Sequence, residues 1–225
     1  MSMTYVFNSN LKCYLCIVNE IDSELRAPLI GIGRHRLGID GQGVTTLVSF
    51  HGCTLRCHYC LNPQGLDSDY SCRLVTPAEL VAELMVDDLY FQATGGGVCF
   101  SGGEPLLHAD FIRSFRQFAP PIWRITLETS LHVAQDYLHQ VFPCVDSYIV
   151  DIKDTSPDIY HRYTSGHVEL AMSNLSWLIS QGIADRITVR LPLIADYNSA
   201  DNVARSRLLL EGMGITHFDV FEYIK

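Results

Sequence analysis

The chain has 225 residues, 48% of them apolar and 18% charged, with a formal net charge of -9 at neutral pH. This suits one α/β domain with a substantial core and argues against general nucleic-acid binding, which needs a basic face. No stretch approaches a membrane span, no secretory pattern opens the chain, and the eight cysteines favour C-x2-C spacing over a disulfide framework, so a reducing, cytoplasmic setting without membrane partners is expected.

Residues 1–37 read as an N-terminal extension carrying Cys13 and Cys16, a C-x2-C pair that supplies half of a metal site. Turn chemistry follows in Ile39-Asp40-Gly41-Gln42-Gly43. From Thr45 onward strand-like and helix-like patterns alternate. The expected strands are Thr45–His51, Gly97–Ser101, Trp123–Glu128, Ser147–Ile152, Arg186–Leu191 and His217–Tyr223. Helical patterns lie between them at Pro77–Tyr90, Ala109–Phe118, Val133–Gln140, Val168–Ser180 and Ala200–Met213. Thr76-Pro77-Ala78-Glu79 carries the marks of a capped helix start, while Gly182 and Gly214 stand where helices should end. Alternation of this kind predicts a parallel sheet with right-handed crossovers, a partial (β/α)6 TIM-like barrel over 38–225. Cys99 and Cys144 read as small core residues, and Cys72 as a candidate helper for Cys13 and Cys16.

The chemistry concentrates after the first of these strands. Cys53, Cys57 and Cys60 stand at C-x3-C-x2-C spacing within Gly52–Pro63, so three thiolates share one loop. A zinc ion or an iron–sulfur cluster prefers four protein ligands, so a cluster held by three keeps one iron open for a small molecule. A zinc site would need a fourth ligand from His51, His58 or a distant cysteine. One βα unit later, Ser101-Gly102-Gly103-Glu104 ends a strand with two glycines that let backbone approach a ligand and a carboxylate suited to an amine. Ligands of parallel α/β folds sit at strand C-terminal ends, where both motifs fall.

Taken together, these motifs resemble the radical S-adenosylmethionine (radical SAM) enzymes, and more narrowly the activating enzymes of glycyl radical enzymes. The similarity covers about residues 38–223. Gly38–Gly43 resembles that group's Asp-Gly-Pro-Gly opening, with Gln42 where proline is usual, and Cys60-Leu61-Asn62-Pro63 matches the end of its cysteine loop. Gly95–Glu104 matches its second strand. Leu127-Glu128-Thr129-Ser130 resembles its Leu-Asp-Thr-Asn element, Val150-Asp151-Ile152-Lys153 its Leu-Asp-Leu-Lys element, and Arg190 falls where the group has an arginine.

The resemblance implies a [4Fe-4S] cluster on Cys53, Cys57 and Cys60, whose open iron binds S-adenosylmethionine. It implies that Ser101, Gly102, Gly103 and Glu104 fix the amine, that Arg190 meets the carboxylate or ribose, and that Tyr59 packs by the adenine through its backbone. Glu128, Thr129 and Asp151 would line the floor, a place compatible with a monovalent cation, and Lys153 would lie near the substrate; Asp151 and Lys153 are the catalytic candidates. Reductive cleavage would give a 5′-deoxyadenosyl radical that takes hydrogen from a protein or peptide, glycine Cα above all. An electron donor such as flavodoxin or ferredoxin would be a second partner. Maturation of a small ribosomal peptide and non-catalytic iron–sulfur or zinc binding are the other readings. The chain departs from the activases at Thr45, where a basic residue is common, and in ending at Lys225 without their histidine-bearing tail. Six strands leave a sheet unclosed, so a side gap between first and last strands is expected, open to an extended peptide.

Overall fold

The structure, a computed structural model, describes residues 25–223. Cys13 and Cys16 lie outside them. Among the described residues the strands form one sheet of eight: β1 (Ala27–Leu37), β2 (Val44–Phe50), β3 (Arg73–Val75), β4 (Gly97–Gly102), β5 (Arg124–Thr129), β6 (Ser147–Asp151), β7 (Ile187–Leu193) and β8 (His217–Glu222). Their order is β3-β1-β2-β4-β5-β6-β7-β8. From β2 to β8 every pair is parallel, giving the six-stranded partial barrel that the alternating pattern predicts.

Two strands were not expected. β1 runs antiparallel to β2 and β3 antiparallel to β1, so Ala27–Leu37 belongs to the sheet rather than to an extension ending at residue 37. Gly31, Gly33 and the Arg34-His35-Arg36 run break its apolar alternation, and its register shifts between Gly33 and Arg36. The consequence is topological. Among the described residues the outer edge of β2 is covered, β8 pairs with β7 alone, and the free edge on the barrel side is that of β8. The expected gap is therefore flanked by β1 on one side.

The helices cover the outer face. Thr76 Oγ1 accepts from the Glu79 amide at 3.2 Å and Glu79 Oε2 from the Thr76 amide at 2.8 Å, closing the capping box of α1 (Pro77–Leu84). The expected single helix to Tyr90 breaks at a 3-10 turn, Met85–Asp87, and resumes as α2 (Asp88–Thr94). Asp87 is the reason. Its fully buried carboxylate accepts from Arg34 Nη1 at 2.5 Å and Thr46 Oγ1 at 2.8 Å, tying the helix pair to β1 and β2. Then come α3 (Ala109–Phe118), α4 (Gln135–Val141), α5 (Pro157–Thr164), α6 (Val168–Ser180) and α7 (Ala200–Gly212). The rings of Phe50, Phe100, Phe115, Trp123 and Phe91 pack in a chain beneath α1–α3, each fully buried. α5 was unforeseen, and it matters to the site.

Candidate functional site

A cleft of about 120 Å³ opens at the C-terminal ends of the parallel strands. Its walls bring together Cys53, Cys57 and Cys60 from the β2 loop with Ser101, Gly102 and Gly103 from β4. Glu128, Thr129 and Ser130 from β5 and Asp151 and Lys153 from β6 complete the lining, along with Tyr223 just past β8. Five parallel strands thus converge on one space. Asn62, which the sequence singled out only as part of Cys60–Pro63, donates to the Gly102 carbonyl at 3.2 Å and links the cysteine loop to the β4 turn.

The cysteine loop is held from both sides. The Arg56 amide donates to the Thr164 carbonyl at 2.8 Å and the His58 amide to the Tyr163 carbonyl at 3.1 Å, so the C-terminal end of α5 docks the loop through orphan carbonyls. Thr54 Oγ1 donates to the His132 carbonyl at 2.7 Å, tying it to the segment after β5. Leu55 packs beneath with Tyr160 and Val168, and Cys53 and Cys57 lie against this cluster; burying one such leucine stabilises by about 1.5–3 kcal/mol. Thr54, Leu55, His132 and Tyr160 had no motif to mark them.

Burial pushes the Cys53 thiol up to about 12, and the Cys57 thiol up as well despite the nearby Lys153 ammonium. These are thiols that stay protonated until a cation draws off the proton, which is the chemistry of a ligand set. Among the described residues no three of His, Cys, Asp and Glu converge on a single-ion site. The two histidines considered as a fourth ligand are engaged elsewhere: His51 Nε2 lies 2.9 Å from the Asp67 carbonyl and the His58 ring packs on Tyr197. Three cysteines in one cleft, with His51 and His58 engaged elsewhere and no fourth ligand beside them among the described residues, fit a [4Fe-4S] cluster with an open iron.

Two expected site residues do not line the cleft. Glu104 is fully buried and does not line the cleft. Its Oε1 accepts from Thr129 Oγ1 at 2.6 Å and the Leu106 amide at 3.2 Å; its Oε2 accepts from Ser130 Oγ at 2.6 Å and the Ser130 amide at 3.0 Å. Four donors saturate the carboxylate, so it shapes the β5 turn and leaves no oxygen for an amine. Arg190 likewise faces away from the cleft, into a larger cavity at the opposite end of the barrel. It donates to Glu128 at 2.5 Å, to Asp219 at 3.2 Å and to the Ile39 carbonyl at 2.8 Å. Arg190 is linked to the cleft lining through its ion pair with Glu128. Burial works against the Arg190 cation, but Glu128, Asp151, Asp219 and Asp40 more than offset it and raise its pKa. Tyr59 points outward, its hydroxyl donating to Asp196 at 3.2 Å and its ring edge-on to Tyr163 and Tyr197.

Asp151 and Lys153 do meet in the cleft. Lys153 Nζ lies 3.3 Å from Asp151 Oδ2, with the two side chains 11% and 20% exposed. Burial alone would lower the Lys153 pKa, but Asp151, Cys57, Tyr223 and Tyr163 together raise it, so the ammonium stays charged.

Glu104 carries a pH signature. Burial raises its pKa above the usual 4.5, more than its four donors lower it. The folded chain therefore holds this proton to higher pH than the unfolded chain. Its contribution to stability is full below pH 4.5 and declines as pH rises through the raised value. Glu104→Gln should remove that decline and cost about 1–3 kcal/mol, because an amide nitrogen would face donors it cannot satisfy. Urea unfolding of the metal-free chain from acid to neutral pH checks both; parallel pH profiles for the two proteins would refute the assignment.

The comparisons agree with this geometry. A family model described as the radical SAM superfamily matches residues 47–205. The pyruvate formate-lyase-activating enzyme of Staphylococcus epidermidis is 30% identical over 190 residues, 76% of each chain. Among solved structures, Streptococcus suis SuiB bound to its precursor peptide SuiA superposes with a TM-score of 0.60 at 12% identity. That match covers 100% of this chain but only 48% of SuiB, so this chain spans less than half its length. QueE from Escherichia coli gives 0.50 at 11% identity over 90% of this chain and 97% of that one, a likeness of fold. The chain belongs to the radical SAM superfamily, whose members use a [4Fe-4S] cluster and S-adenosylmethionine, and within it resembles the activating enzymes.

Proposed function

We propose that this protein is a radical SAM enzyme of the activating type, which removes a hydrogen atom from a glycine Cα of a partner protein. The observation that carries the reading is the convergence of Cys53, Cys57 and Cys60 with the polar ends of β4, β5 and β6 in a single cleft. The 30% identity to pyruvate formate-lyase-activating enzymes supports the choice of substrate class.

In this reading Cys53, Cys57 and Cys60 hold the cluster. When bound, cluster and S-adenosylmethionine together supply one-electron chemistry that ends in hydrogen abstraction. The chain's own tasks are to bind, orient and exclude water. Backbone of Ser101–Gly103 offers carbonyls to an amine, and Thr129, Ser130 and Asp151 offer further polar contacts. The Lys153 ammonium is placed to meet a carboxylate beside Asp151. Glu104 and Arg190 are positioning residues, the first fixing Thr129 and Ser130 and the second Glu128.

A protein substrate suits the open sheet. β8 has a free edge among the described residues, and Tyr223, directly after it, lines the cleft. An extended segment paired along β8 would be led to the cysteines by backbone hydrogen bonds, and glycine would present its Cα without a side chain in the way.

Isotope transfer tests the proposal. Under anaerobic reduction, a partner protein or peptide deuterated at the candidate glycine Cα should place label in 5′-deoxyadenosine. Label arriving instead from a free small molecule, at a rate unchanged by any added peptide, would rule out this substrate class while leaving the superfamily chemistry intact.

A further inference from the structure

Tyr160, on α5, is fully buried, and among the described residues its hydroxyl has no hydrogen-bond partner. A buried donor left unpaired is costly and rare, so each one calls for a physical cause. Its ring belongs to the small cluster with Leu55 and Val168, against which Cys53 and Cys57 pack. The ionisable groups acting on its hydroxyl are Cys57, Lys153, Glu104 and Cys53.

Only some of these can accept a hydrogen bond. Lys153 as an ammonium has donors alone. Glu104 already accepts four, two on each oxygen. Of these ionisable groups the two cysteine sulfurs remain as acceptors, and both pack against the cluster that holds the Tyr160 ring. Neither thiol receives a bond from it here, but thiolates bound to iron are far better acceptors than neutral thiols.

We propose that the Tyr160 hydroxyl donates a hydrogen bond to the sulfur of the iron–sulfur centre held by Cys53 and Cys57, and so sets its reduction potential. The inference rests on the cluster assignment for these cysteines. A donor to sulfur favours the more negative, reduced state and raises the potential. Tyr160 acts through the cluster ligands, so it is a positioning and tuning residue. The 3.4 Å contact from the Leu55 amide to Cys53 Sγ supplies a second donor of the same kind, from the same loop.

Tyr160→Phe keeps the ring and removes the donor. In anaerobically reconstituted protein, iron and sulfide content should match wild type, which checks the cluster assignment independently. At a fixed redox poise the ratio of reduced to oxidised cluster should fall about tenfold, equivalent to ~59 mV for one electron, with altered electron paramagnetic resonance g-values. In the metal-free chain the same substitution removes an unpaired hydroxyl, so the thermal midpoint should hold or rise. An unchanged potential at full iron content overturns the proposal. So does a lower metal-free midpoint, which would show that the hydroxyl already has a protein or water partner. If the phenylalanine variant loads no cluster, 3-fluorotyrosine at position 160, a stronger donor of the same shape, must move the potential upward; no shift refutes the inference.

Discussion

Alanine at Cys53, Cys57 or Cys60, each tested singly, should eliminate bound iron and with it all cleavage of S-adenosylmethionine, while leaving the metal-free fold nearly intact. The asymmetry follows from the site. With no fourth local ligand, losing one of three leaves two cysteines, too few to hold the cluster. In the metal-free chain these side chains are only half-buried thiols, burial pushing Cys57 up and Cys53 up to about 12. Each substitution should then cost about 1 kcal/mol of stability, the ordinary size for a point change. The comparison needs iron analysis, the visible and electron paramagnetic resonance spectra after anaerobic reconstitution, and thermal unfolding of each metal-free variant. Alanine at Cys72, Cys99 or Cys144 should leave iron binding unchanged, since none of these lines the cleft. Full iron content in any variant of the triad would remove that cysteine from the ligand set. Stoichiometric zinc without iron in the anaerobic wild type would remove the cluster itself.

Much of this site was legible because chemistry constrains residue type and spacing together. Three cysteines in eight positions after a strand, and Ser101–Glu104 one βα unit later, can be read without coordinates. What a sequence does not give is the direction of a side chain at a strand end. Glu104 follows two glycines whose turn aims the carboxylate inward under β5, where Thr129 and Ser130 meet it. Arg190 lies on β7, which contributes no residue to the cleft lining, and Asp219, Glu128 and the Ile39 carbonyl hold its guanidinium. Both residues matter, but through an intermediary.

The elements that escaped the sequence reading share a cause. β1 mixes glycines with a basic run, so neither face shows a period of two. α5 is short and polar, with Tyr160, Tyr163 and Thr164 its buried residues, and it ends where Ser165 turns left-handed at φ 59°. Its stability comes from what it packs against rather than from an apolar stripe. Yet α5 supplies the carbonyls that seat Arg56 and His58, and the ring beneath Cys53 and Cys57. The strands and helices with strong periodicity build the barrel; the weakly patterned pieces hold the reactive loop against it.

Gly103→Ala should damage both the fold and cluster loading. A Cβ at this position would stand 1.9 Å from the Gly52 carbonyl oxygen and 2.6 Å from its carbon. Both are backbone atoms and cannot swing aside as a flexible side chain could. The same Gly52 carbonyl accepts from the Glu104 amide at 2.7 Å, and the Gly103 amide donates to the Phe50 carbonyl at 2.8 Å. The two turns are thus laced together at van der Waals contact, and Cys53 is the very next residue after Gly52. Relieving the overlap must push the start of the cysteine loop away from β4, with a cost of about 3 kcal/mol or more, at the upper end for overpacking. Cluster loading should fall with it, because the first ligand moves while Cys57, between the docked Arg56 and His58, stays held on α5. Gly31→Ala on β1 is the matched control: its Cβ would meet nothing within 4 Å. That change should alter stability by no more than about 1 kcal/mol, in the stabilising direction if the backbone suits alanine. Denaturant unfolding and iron content of the two variants, measured side by side, decide the matter; equal stability and equal iron would mean that the Gly52–Gly103 contact does not position Cys53.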